Sequence, residues 1–172
     1  MNNDSRIVQQ QIGRKLRSDS EVSCRCHLDI PVVIKVPPKL NDGTPFPTTY
    51  WLTCPMYNKK IGSLESQGLI KELDKELENN PDLKEKWKSR QKSYQAEREE
   101  LANDNSEPQA TGGVGGATES IKCLHSHTAD ELSTGKNVIG KIVVESIGSF
   151  NCEKACIDTK TFEKNKDWKV IW

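Results

Sequence analysis

No stretch of this sequence approaches the roughly 18–20 consecutive apolar residues that a membrane-spanning helix needs. Its opening, MNNDSRIVQQQIGRKLR, lacks the apolar centre of a signal peptide. An excess of one charge is missing as well, since 25 Lys and Arg balance 25 Asp and Glu. That argues against general nucleic-acid binding, for which a basic surplus supplies the affinity. Apolar residues are sparse, 34% against 29% charged, so parts of the chain are expected to be solvated arms or linkers rather than core. There is no G-x-S-x-G elbow, no H-E-x-x-H, no paired-carboxylate signature and no internal repeat. The expectation is a soluble, cytoplasmic protein of 172 residues with one modest core.

The hydrophobic pattern predicts an α+β fold. Residues 1–20 read as a polar, partly helical N-terminal arm, and residues 21–172 as a single domain. Between about 20 and 56, the β-branched run Val32, Val33, Ile34, Val36 and the segment TTYWLTC are bounded by prolines and by the Asp42-Gly43 turn, which predicts a small antiparallel sheet. From Asn58 the period changes to three and four residues: Ile61, Leu64, Leu69, Ile70, Leu73, Leu77. The break NNPD, with Asn80 as N-cap and Pro81 at the first helical position, starts a second helix with a thin seam of Leu83, Trp87, Tyr94 and Leu101. These helices are expected to form an antiparallel hairpin over 58–103, whose charged faces offer a surface for a protein partner. Residues 104–119 read as a mobile Gly-rich linker. A helix over 120–132 follows, then NVIGKIVVESIGSF, which fits strand or helix, and a tail whose apolar end can dock on the core.

What the chain does have is cysteine. All six cysteines and all three histidines fall in four short clusters: Cys24, Cys26 and His27; Cys54; Cys123, His125 and His127; Cys152 and Cys156. A reducing compartment favours metal ligands, reactive thiols or buried fillers over disulfides. Thiolate and imidazole are the donors zinc takes, four at a time from two or more clusters. No single cluster is a standard finger: Cys24 and Cys26 stand closer than the common C-x2–4-C spacing, whereas Cys152 and Cys156 fit it with three residues between. On a regular helix Cys123 and His127 share a face and His125 points elsewhere. If Cys123 lies in an irregular first turn, His125 reaches the same site. The candidate arrangement brings the Cys24, Cys54 and Cys123 thiols to one corner of the sheet, with His125, His127 or Cys26 as fourth ligand. Cys152 and Cys156 form a second pair or reach the same site. Zinc is the favoured occupant, with an iron–sulfur cluster as the alternative. A cysteine nucleophile paired with histidine, and purely structural cysteines, stay open.

Four glycines, Gly112, Gly113, Gly115 and Gly116, precede the third helical pattern, with Lys122 close by. Helix N-termini attract anions, which makes these five residues a candidate anion site. The spacing matches neither phosphate-binding fingerprint, and a flexible lid or hinge competes with that reading.

In order, QIGRK, CRC, PVVIKVPPKLNDGTPFPTTYWLTCP, IGSLE, GGVGG, IKCLHSH and GKIV are landmarks that resemble the bacterial family catalogued as domain of unknown function 501. The likeness runs from about Gln11 to Cys156. It implies a bacterial cytoplasmic protein without an established activity. It carries over Cys24, Cys54, Cys123 and His125, with Cys26 present in some branches, whereas His27 stands where the family has glycine. The resemblance therefore favours His125 over His127. Family members' gene neighbourhoods, with a septum-formation initiator and an exopolyphosphatase, imply envelope or polyphosphate physiology. Three function classes follow: a metal-binding protein, a small enzyme using a cysteine or a metal-activated water on an anionic substrate, and an adaptor binding through the charged hairpin.

Overall fold

The computed structural model describes residues 2–102 and 109–172. Helix α1 (Asn3–Ile12) is opened by Asn2, whose side chain accepts from Ser5 N, and closed by Gly13 in the left-handed conformation. Three strands follow, β1 (Glu21–Arg25), β2 (Pro31–Lys35) and β3 (Tyr50–Leu52), in the antiparallel order β1-β2-β3. The central strand is buried along almost its whole length because it is covered twice. Ile34 and Val36 pack with Val8 of α1, while Val33 joins Leu52 in the main core beneath the remaining helices. A strand covered on both faces reads as a continuous apolar run, and VVI does.

Cys54 ends the sheet segment and is the N-cap of α2 (Pro55–Ser66), with Pro55 in its first turn. Gly68, at φ 96°, stops that helix and starts α3 (Leu69–Asn79). The helix α4 (Pro81–Ala102) follows a single intervening residue, Asn80, whose Oδ1 accepts from Leu83 N at 3.1 Å. The expected two-helix hairpin over 58–103 is thus three helices, because a glycine in the left-handed region cannot sit inside one. Further on, α5 (Leu124–Thr134) and α6 (Val138–Ile147) pack on each other so closely that a Cβ on Gly140 would fall onto the His127 carbonyl. The ambiguous NVIGKIVVESI segment is therefore helix, with Asn137 as N-cap.

The first part of the expected mobile linker, residues 104–108, lies outside the described residues. The rest is packed rather than solvated. Arg98 of α4, 1% exposed, donates to the carbonyls of Pro47, Ala110, Gly112 and Gly113 at 2.6–3.5 Å. Gln91 Oε1 accepts from Val114 N at 2.8 Å, and Val114 and Ala117 are buried. The glycine loop is pinned by two polar residues of a helix whose charges were expected to face solvent. In the tail, Trp168 and Val170 pack against the main core, so the C-terminal segment docks, although Trp172 stays exposed. No helix among the described residues is long and apolar enough to cross a membrane.

Candidate metal centre

The helix carrying CLHSH begins at Leu124, four residues later than its composition predicts, and Cys123 is its N-cap in an extended conformation (φ −157°, ψ 115°). This late start decides which histidine shares a site with Cys123. His125 falls in the first turn and stays near the thiol, while His127 is carried one turn on and buried. Two carboxylates fix the entry. Asp74 of α3 accepts from Ile121 N at 2.7 Å, and Glu65 of α2 accepts from Leu124 N at 2.9 Å. A first-turn amide has no partner inside its helix, and a carboxylate there also meets the positive end of the helix dipole.

Glu65 does more than cap. Its Oε1 lies 3.3 Å from His125 Nδ1, and a carboxylate oxygen of Glu65, a ring nitrogen of His125 and the sulfur of Cys123 all lie within 4.8 Å of one another. The other ring nitrogen, Nε2, is 3.4 Å from the Asn58 carbonyl oxygen, one face of α2 supplying both Asn58 and Glu65. All three groups are partly buried. Burial pushes the Cys123 thiol pKa up, but hydrogen bonds from the His125 imidazole and from the N–H and hydroxyl of Ser126 outweigh it, and the net shift is downward. His125 moves the opposite way. Its contact with Cys123 raises its pKa against the cost of burial, and the Glu65 charge adds to the rise. Both shifts run towards the thiolate–imidazolium pair, chemistry that suits either a metal ligand pair or an activated nucleophile. The glycine loop lies over them: a Cβ on Gly115 would stand 3.3 Å from Ser126 Oγ and 3.9 Å from Cys123 Cβ.

The other candidates go elsewhere. His127 Nδ1 donates to Asn137 Oδ1 at 3.0 Å, and Asn137 Nδ2 donates to Asp130 at 2.8 Å. Arg90 grips Asp130 with two bonds of 2.7 and 2.8 Å and Glu97 with two more, which makes a buried network joining α4, α5 and α6. Burial pushes the His127 pKa down to about 4. Cys24, Cys26, Cys54, Cys152 and Cys156 line a different feature, a cavity of about 470 Å³ that Cys123 does not border. Among the described residues, only Glu65, Cys123 and His125 bring three such ligand atoms within 4.8 Å of one another, so Cys24, Cys54 and Cys123 do not converge as expected. Two ligands on one ion with bonds of about 2.3 Å cannot stand further apart than about 4.6 Å. In the glycine loop, Gly113 N and Gly116 N donate within the loop and Val114 N to Gln91, while Lys122 is solvent-exposed. Its carbonyls face a cation, Arg98, which is the reverse of an anion cradle.

Glu65 was missed because only soft donors were counted. Its signal was the landmark IGSLE, which ends on it, and its placement seven residues after Asn58, on the same helical face.

The family model described as protein of unknown function (DUF501) matches residues 22–145, which contain Glu65, Cys123 and His125. The chain belongs to this family. No curated protein and no solved structure matches the chain. The match ends before Cys152 and Cys156, so two of the five cysteines that line the cavity come from outside the family segment.

Proposed function

We propose that this DUF501 protein is a metal-binding protein whose ion is held by Cys123 Sγ, His125 Nδ1 and a Glu65 carboxylate oxygen. The observation that carries the reading is the convergence of these three atoms from two helices. Ligands about 2.0–2.1 Å from a tetrahedral ion stand about 3.3 Å apart, which is the separation of Glu65 Oε1 and His125 Nδ1. The second ring nitrogen supports it too: an Nε2–H aimed at the Asn58 carbonyl is the orienting contact a ligating histidine normally makes. One thiolate, one imidazole and one carboxylate suit zinc, and three protein ligands leave a fourth position for water or substrate.

Elemental analysis of the full chain purified without chelator tests this. One zinc per chain at this site is expected, lost in Cys123→Ser and in Glu65→Gln and retained in His127→Gln. Metal content indifferent to Cys123→Ser would overturn the assignment. A second reading, a thiol nucleophile, is favoured by the same Cys123–His125–Glu65 order together with the Ser126 N–H beside the sulfur. It requires metal-free protein to alkylate fastest at Cys123 and to lose that reactivity in His125→Ala.

A further inference from the structure

Five of the six cysteines come from three separate stretches of chain and surround one cavity of about 470 Å³. β1 and its turn supply Cys24 and Cys26, the α2 N-cap supplies Cys54, and the C-terminal segment supplies Cys152 and Cys156. All are free thiols. Cysteine also serves as a small apolar filler, and each of the five packs partly against a hydrophobic cluster, but all five also border the same void.

The thiols also sense one another. Cys54 lies within electrostatic reach of Cys152 and Cys156, and Cys156 within reach of Cys26 and Cys152. Yet no three of their sulfurs stand within 4.8 Å of one another. Since a single ion with metal–sulfur bonds of about 2.3 Å requires closer approach than this, the ring is too wide for one ion to bind three of its members. A [4Fe–4S] cluster attaches each thiolate to an iron of its own, so its ligands stand further apart than those of a single ion. The wall has the accompanying features. Gln11 Nε2 donates to Cys156 Sγ at 3.6 Å, the kind of N–H···S contact that tunes a cluster. His27 Nε2 sits 2.9 Å from the Cys152 carbonyl and holds that loop, while Trp168 and Phe150 shield the cavity.

We infer that this cavity is a second metal centre, an iron–sulfur cluster site with Cys26, Cys54, Cys152 and Cys156 as its ligands. Cys24 is the spare thiol beside it. The site shares no residue with Glu65, Cys123 and His125, so the two assignments stand or fall separately.

The full chain, expressed with iron supplementation and purified without oxygen, tests the inference. Expected are a brown protein with broad visible absorption and iron and acid-labile sulfide in equal amounts. Cys54→Ser with Cys156→Ser should abolish both, whereas Cys123→Ser keeps the colour. Should the double variant not fold, the wild-type chain serves: iodoacetamide after chelator treatment should label Cys123 while Cys26, Cys54, Cys152 and Cys156 stay protected until the cluster is destroyed by acid. A colourless protein with these four thiols freely labelled overturns the inference. So does a colourless chain whose zinc is lost with Cys54 and Cys156, which would make the site a single-ion one.

Discussion

Gly140→Ala and Gly62→Ala should move stability in opposite directions, although both replace a helical glycine with the best helix former. Propensity alone favours alanine by about 0.5–1 kcal/mol at each site. A Cβ on Gly62, within α2, meets nothing within 4 Å, so that gain should be realised in full. On Gly140, within α6, the methyl would overlap the His127 carbonyl, stand 2.6 Å from Glu131 Cβ and lie 2.8 Å from the His127 carbonyl carbon. Two of those atoms are the backbone of a neighbouring helix, which cannot rotate away, so α5 and α6 must separate. Overpacking costs about 1–3 kcal/mol; contacts this short onto backbone belong at the upper end, about 2–3 kcal/mol, and subtracting the propensity gain leaves a net loss of roughly 1–2.5 kcal/mol. For a chain of this size 1 kcal/mol moves the melting temperature by about 2–4 °C. Gly62→Ala is expected to raise it by about 1–4 °C and Gly140→Ala to lower it by about 2–10 °C. Urea titrations with chelator present should give the same order at unchanged m, since bound metal would add its own stabilisation. If Gly140→Ala matches or exceeds Gly62→Ala, the close approach of α5 and α6 is not a constraint, and the packing behind the CLH turn must be redrawn.

Asp130→Ala should cost about 3–5 kcal/mol in equilibrium denaturation, because it strips a fully buried carboxylate from Arg90 and leaves a buried cation with only Glu97; a loss under about 1 kcal/mol would mean Glu97 suffices. His127 is held neutral, its pKa about 4 against 6.5 for the free side chain, so the stability it contributes is complete above pH 6.5 and lost as pH falls towards 4. At about 1.4 kcal/mol per unit this is roughly 3 kcal/mol, and His127→Gln should flatten the slope of stability between pH 7 and 4. Arg98→Met leaves four carbonyls without their donor and should cost about 3 kcal/mol or more. It should also open residues 109–117 to protease, and a loop still resistant would show that Gln91 alone pins it.

The parts of the fold legible in the sequence are those whose cause is local. Asn80 and Pro81 announce a helix start because capping is chemistry within four residues, and the cap is where it was expected. Gly68 was passed over because Leu64, Leu69 and Ile70 keep the helical period running across it, yet φ 96° there ends α2. Helix α4 misled for a different reason. Its buried positions, Trp87, Arg90, Gln91, Tyr94 and Arg98, keep helical spacing throughout, but three of them are polar, while the apolar Leu101 is 38% exposed. What makes Arg90 and Arg98 buriable lies elsewhere: Asp130 is 40 residues further on for the first, and Gly112 is 14 for the second. Periodicity sees the face of a helix, not the partner that neutralises it.

The same distinction separates the two cysteine groupings. Residue type marked every cysteine and histidine as a donor, but which donors meet is set by contacts far apart in sequence. Cys123 and His125 do lie together, since a two-residue spacing across a helix start permits few geometries. Their third member is an oxygen donor some 60 residues upstream, invisible to a search for thiols and imidazoles. The sequence places Cys54 beside Cys123 on the ground that a strand end and a helix start can meet at one corner of the sheet, yet in the fold they part. Each caps a different helix, α2 and α5, and α2 meets α5 through Asn58 and Glu65, further along its length, rather than through its capping residue. The carboxylate that caps α5 therefore occupies the place expected of the distant thiol. Cys54 is left to face the cavity formed by β1 and the C-terminal segment.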